Sequence, residues 1–292
     1  MGSNEVEGDI MDQEKKTSNF GEIANKEGLL AYLSNISKRL SDTKMVCQYT
    51  SLKAVIGIIS KKYWYVGSPK NMNDGLELQQ GLNMRDDIFF SSFMIERKES
   101  IAMWSMYAQP WEDGVMISIP KSIFNKWVRG IEKVYSADPV SKQTDENTFV
   151  NLDKARVFAI RVAYYTQGED GKTESLSCGR PQNSMSDVLK SINDPSLVGY
   201  IKDDAWSYER EIRLRVELNK DIHYEGVAVE VPDYVIDSMI ITRGPRFQGD
   251  LMERLKDVYN QEIKAESSLF YNKLNNVFCD KCTYKSKEKG IV

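Results

Sequence analysis

Between Lys202 and Leu218 the chain alternates apolar and polar residues with period two. Trp206, Tyr208, Ile212, Leu214 and Val216 fall on one side, and Ser207, Glu209, Glu211, Arg213 and Arg215 on the other. That period predicts a strand. Alternation, or short apolar runs bounded by turn residues, predicts further strands over 45–50, 63–66, 88–93, 114–119, 131–135, 157–165, 227–231 and 239–242. Helical spacing marks 26–41, where Leu29, Leu30, Leu33, Ile36 and Leu40 recur, and also 101–108, 123–128, 185–192 and 250–264. Ser51 reads as the N-cap of another helix, which carries Leu52, Val55, Ile58 and Ile59. Turn residues predict a loop over 68–75, and the polar stretches 136–152 and 167–184 are expected to be loops, either of which could close over a site.

Strands dominate the middle of the chain and helices gather toward the ends. This order predicts an α+β fold, a mixed or antiparallel central sheet flanked by helices, rather than a doubly wound sheet. Residues 1–22 are polar and acidic and expected to be disordered, 23–265 form one domain, and 266–292 form a polar tail. No Gly-x-Gly-x-x-Gly follows a strand and there is no Walker loop.

Composition changes the picture in a few places. The chain has 292 residues and a formal charge of −4, so bulk attraction to nucleic acid is not expected, although a local basic groove is compatible with it. No apolar run reaches the roughly 18 residues of a membrane span, and the acidic N-terminus has no apolar leader segment. Four cysteines in this length do not make a disulfide framework, so a cytoplasmic, reduced protein with no membrane partner is expected. Cys279 and Cys282 form a lone Cys-x-x-Cys, and Cys47, Cys178 and His223 have no paired spacing to complete a zinc site, so no metal is expected. A single histidine gives poor support to triad chemistry, and His223 reads as a surface turn residue.

The charged side of the 206–216 strand admits two readings. It is a solvated face, on which each ion pair contributes about 0–1 kcal/mol, or it steers a substrate. Four segments bear on the choice. They are Gln48-Tyr49-Thr50-Ser51-Leu52; Ser68-Pro69-Lys70-Asn71-Met72-Asn73-Asp74; Phe90-Ser91-Ser92-Phe93 followed by Met103-Trp104-Ser105-Met106-Tyr107-Ala108; and Lys202 through Trp206-x-Tyr208-Glu209-x-Glu211-x-Arg213, with a later strand ending in Arg243-Gly244-Pro245. In this order, over roughly residues 45–250, they resemble a widespread bacterial family known as domain of unknown function twenty-nine seventy-one. The layout is similar to that of NAD-dependent ADP-ribosyltransferases. Those carry a polar residue on an early strand, a Tyr or Ser element in mid-chain, and a Glu, often as Glu-x-Glu, on a late strand.

The resemblance implies an ADP-ribosyltransferase-like fold, NAD as co-substrate, and a protein or nucleic acid acceptor. It also implies a setting as a bacterial toxin or anti-phage effector. It makes Glu211 the catalytic carboxylate, able to stabilise the oxocarbenium-like ribose and bond its 2′-OH. Glu209, two positions away, would orient the acceptor or take its proton. Trp104 and Tyr107, three apart on one helix face, would stack the nicotinamide, or else pack into the core. Gln48, Tyr49, Thr50, Ser51, Ser91 and Arg213 complete the dinucleotide-binding set. Gln48 stands where the family usually has His; it can hydrogen-bond ribose hydroxyls and cannot become cationic. Two alternatives remain: a binding module that senses a nucleotide or phage component without turnover, and a nuclease in which Asp74, Glu209 and Glu211 hold Mg²⁺.

Overall fold

The computed structural model describes residues 44–71, 87–95, 98–137, 144–150, 155–167, 173–177, 199–218, 224–256, 258 and 263–273. The helices expected over 26–41 and 185–192, the acidic segment 1–22, Asn73, Asp74, Cys178, His223, Cys279 and Cys282 lie outside them. The chain divides into two compact units, one of 42–68, 86–159 and 211–292 and one of 1–41, 69–85 and 160–210.

The larger unit is built on one mixed sheet. Strand β1 (Met45–Ser51) leads into α1 (Leu52–Lys61), where the Ser51 hydroxyl accepts from Ala54 N and satisfies a first-turn donor. Lys62, in the left-handed region at φ 56°, ends α1 and turns the chain into β2 (Tyr63–Gly67). There follow β3 (Ile88–Ile95), α2 (Ile101–Tyr107), β4 (Gly114–Pro120), α3 (Lys121–Arg129), β5 (Val134–Ala137) and β6 (Thr144–Val150). β7 (Arg156–Arg161) follows, and its pairing places it in this sheet.

The smaller unit holds a three-stranded sheet in the order β10-β8-β9, made of β8 (Ala163–Gln167), β9 (Thr173–Ser177) and β10 (Ile201–Asp203), and a 3₁₀ segment, Asp204–Glu209. The larger unit resumes with β11 (Glu211–Glu217), β12 (Gly226–Glu230), α4 (Asp233–Ile236), β13 (Ile240–Arg243), α5 (Leu251–Lys256) and β14 (Lys264–Ser267).

The α+β expectation holds: the main sheet runs β14-β13-β4-β1-β3-β2-β12-β5-β6, with β11 on the other edge of β3 and β7 beyond it. Neighbours along this path pair antiparallel except for the parallel pair β13–β14, and β11 runs antiparallel to β3. One face is covered by α1 and α3. There Trp64 stacks on Phe93 (5.2 Å between ring centroids), and Phe124 and Trp127 of α3 close the aromatic core. On the opposite face α2 packs against β1, with the Trp104 ring edge-on to Tyr49 at 4.7 Å.

Several expectations are corrected. The 157–165 stretch is two strands, broken at Val162, because β7 pairs with β11 in the main sheet while β8 pairs with β9 and β10. The polar stretches expected to be loops contain β6 and β9, whose backbone groups are satisfied by β5 and β8 whatever their side-chain pattern. The helix expected over 250–264 is α5 alone, and Lys264 already begins β14. Described structure also continues past 265: Ser268 N donates to the Arg243 carbonyl at 3.0 Å.

Candidate functional site

The strand expected over 206–216 begins only at Glu211. Asp203 accepts from Ala205 N and caps a 3₁₀ segment that carries Trp206, Tyr208 and Glu209, and Arg210, at φ 44°, terminates it. Glu209 and Glu211 are therefore not two carboxylates on one strand face. Glu209 is buried in the smaller unit, where Lys202 Nζ donates to its Oε2 at 2.7 Å, and the same ammonium lies 4.6 Å from the Trp206 ring centroid. Burial, and then the Glu209 charge, push the Tyr208 hydroxyl above its ordinary range.

Nor is the charged side of β11 a solvated face. Its register with β3 sets Glu211 beside Met94, Arg213 beside Ser92 and Arg215 beside Phe90. Glu211 is 3 % exposed, and Arg213 and Arg215 are 0 % exposed. The Arg213 guanidinium clasps Glu211 with a fork, Nε to Oε1 at 2.7 Å and Nη2 to Oε2 at 2.9 Å. Arg215 Nε donates to Glu217 Oε1 at 2.7 Å, and Arg156 on β7 reaches Glu217 Oε2 at 3.3 Å. Both β11 arginines lie over the Phe90 ring, at 5.1 and 5.5 Å. Bidentate pairing and cation–π contact offset part of the cost of burying these charges.

Residues opposite one another in a sheet share a face. The row Cys47, Met94, Glu211 thus puts Cys47 and Tyr49 of β1 on the same side as Glu211 and Arg213. Tyr49 is buried; its hydroxyl accepts from Ser100 N at 3.1 Å, and desolvation pushes its pKa well above the usual tyrosine range. Trp104 is 1 % exposed and its indole N–H donates to Glu99 Oε2 at 3.0 Å, so it is packed into the core as the structure stands. Tyr107, one turn later, is half-buried.

Gln48, Thr50 and Ser91 face the other way, toward the α1 side. β1 pairs with β3 only at Val46–Ile95 and Cys47–Met94, and β2 only at Gly67–Phe90, so the sheet splits between them. Gln48 bridges the split. Its Nε2 donates to the Ser92 carbonyl at 2.9 Å and to Ser91 Oγ at 3.1 Å, and Ser91 Oγ also accepts from Trp64 Nε1 at 2.9 Å. Both amide hydrogens of Gln48 are thereby committed, leaving only its carbonyl oxygen. Ser51 is the α1 cap, and Thr50, opposite Val115, is half-buried.

The fold thus brings Glu211, Arg213 and Tyr49 to one face and Gln48 and Ser91 to the other. Sequence reasoning missed Glu99, which also accepts from the Ser268 hydroxyl and from Leu269 N (2.8 Å); the legible signal was the adjacent Ser100, the N-cap of α2. Among the described residues no group of three His, Cys, Asp or Glu side chains is placed to hold a metal ion, and no helix is long and apolar enough to cross a membrane. No family model matches the chain, and no curated protein matches it.

Proposed function

We propose that this chain is an NAD-dependent transferase of the ADP-ribosyltransferase type that modifies a macromolecular acceptor, with Glu211 as its catalytic carboxylate. The observation that carries the reading is the buried Glu211–Arg213 fork on a strand inside the main sheet. Well-packed apolar residues of similar volume are often as stable as such a pair, or more stable, so stability alone does not account for it. The resemblance of the surrounding segments to bacterial families supports a toxin or anti-phage effector as the setting.

In this chemistry the bond between ribose C1′ and the nicotinamide nitrogen breaks. Nicotinamide leaves neutral with the bonding pair, and C1′ becomes oxocarbenium-like. Glu211 stabilises that charge and holds the ribose 2′-OH. The acceptor then bonds to C1′ and loses a proton; with water as acceptor the product is ADP-ribose. Arg213 takes one acceptor site on each Glu211 oxygen, which leaves a second on each for the ribose hydroxyl, and a diphosphate is a matched alternative partner for the guanidinium.

A second reading, a nucleotide sensor without turnover, is favoured by Gln48. Its two donors are spent holding the sheet split together. The test is NAD⁺ turnover by the purified chain, with cell extract as acceptor source, against Glu211→Gln, which keeps an acceptor for Arg213. Labelled macromolecule or free nicotinamide, lost in a variant that is still folded at the assay temperature, supports the transferase. NAD⁺ binding without turnover supports the sensor. Turnover that survives Glu211→Gln sinks the assignment of Glu211.

A further inference from the structure

Glu211 is buried, so a ribose reaches it only when its face of the main sheet opens. Cys47 and Tyr49 of β1 share that face, and α2 packs on it with Trp104 against Tyr49. The entry to α2 is tied to one carboxylate, Glu99. Its Oε2 accepts from the Trp104 indole N–H at 3.0 Å and from the Ser268 hydroxyl, and its Oε1 accepts from Leu269 N at 2.8 Å. The next residue, Ser100, caps α2 and donates its N–H to the Tyr49 hydroxyl at 3.1 Å. Two of the three bonds to Glu99 therefore come from the segment that follows β14. That segment is anchored mainly by polar contacts. β14 is a four-residue strand at the end of the main sheet. Between Lys264 and Lys273 only Ser268 is buried, and Leu269 is 71 % exposed. Further anchors are Ser268 N to the Arg243 carbonyl at 3.0 Å, Asn272 N to the Pro245 carbonyl at 3.2 Å, Arg243 Nε to Ser267 Oγ at 2.8 Å, and the Arg243 guanidinium 4.0 Å from the Tyr271 ring centroid. A segment with few buried apolar contacts and exposed hydrogen bonds opens at a free energy well below that of global unfolding.

We propose that residues 264–273 form a strap that regulates the Glu211 face. Seated on Glu99, the strap fixes the start of α2 against Tyr49 and keeps the face closed. Released, it lets α2 loosen and the face open. Glu99 transmits the change because one carboxylate answers both to the strap and to Trp104. Once Ser268 and Leu269 leave, water takes their places on its oxygens and competes with the indole N–H as well. Glu99 is thus a positioning residue, acting through Trp104 and not on substrate. The effect on NAD⁺ turnover rests on the assignment of Glu211, whereas the motion itself does not.

The test is amide hydrogen exchange of the full chain, read by mass spectrometry, together with the rate of iodoacetamide labelling at Cys47, which is buried on the Glu211 face. Ser268→Ala removes the hydroxyl donor to Glu99 and leaves the Trp104 bond in place; Ser267→Ala removes the Arg243 bond and no bond to Glu99. In the parent chain the amides of 264–273 are expected to exchange faster than those of β4. In Ser268→Ala they should speed up by about ten-fold or more, the effect of losing one hydrogen bond to a charged acceptor. The amides of α2 and the labelling of Cys47 should rise with them, while β4 stays unchanged. Ser267→Ala should act in the same direction, which shows that strap opening, and not an altered Glu99 shell, drives α2. Strap amides as slow as those of β4, strap exchange unchanged in a folded Ser267→Ala/Ser268→Ala variant, or an open strap with unchanged α2 exchange and Cys47 labelling would each overturn the proposal. NAD⁺ turnover is assayed on the same proteins and is expected to increase in Ser268→Ala. Strap, α2 and Cys47 responding together with no turnover in any protein would uphold the strap and sink the transferase reading instead.

Discussion

Replacing Arg213 by methionine leaves the Glu211 carboxylate buried at 3 % exposure with its two charge-assisted hydrogen bonds removed. Removing one partner of a buried pair costs about 3–5 kcal/mol, because the surviving charge loses its bidentate counter-ion. Against a total stability of about 5–15 kcal/mol this is a large fraction. The larger unit has about 180 residues, a size at which each kcal/mol moves Tm by about 2–4 °C, so Arg213→Met should melt about 6–20 °C lower. The double variant Arg213→Met/Glu211→Leu removes both charges and keeps most of the volume, so it should recover most of that loss. Urea unfolding of the four proteins gives the coupling energy as a double-mutant cycle. A single variant that loses less than about 1 kcal/mol, or a double variant no more stable than the single, would show that water reaches the pair and that the burial argument is mistaken.

Tyr49 should stay protonated in the native protein well above pH 10, since burial raises its pKa. The unfolded chain ionises first, so its share of stability is intact below pH 10 and declines as pH rises beyond it. Tyr49→Phe should therefore leave the native ultraviolet phenolate titration unchanged and flatten that alkaline decline; a native titration that loses one early-ionising tyrosine would refute this. Gly244→Ala places a Cβ 2.7 Å from the Gly114 carbonyl oxygen and 3.0 Å from the Trp104 ring. Neither the carbonyl nor the buried ring can yield easily, so a loss of about 1–3 kcal/mol in chemical denaturation is expected, and a neutral result would mean that α2 is not packed on this turn.

Much of the fold is legible from local pattern. The cores of β1, β3 and β4 read from apolar runs, and the start of α1 from Ser51, because caps and periodicity act between residues a few positions apart. Asp203 caps the 3₁₀ segment, while the alternation of the residues after it is the pattern of a strand, so local period and local cap point to different structures there. β6 and β9 were not legible, since their strand state comes from partners distant in sequence.

The chain's sequence by itself determined that Glu211, Arg213 and Arg215 share a strand face, because period two is a property of the extended backbone. Only the tertiary structure decided that the face is buried, that Arg213 clasps Glu211, that Glu209 answers to Lys202 instead, and that Gln48 closes a split in the sheet. Alternation fixes which residues point the same way. Whether water or other chain lies in that direction depends on packing from far along the sequence, and so does the partner each charge finds.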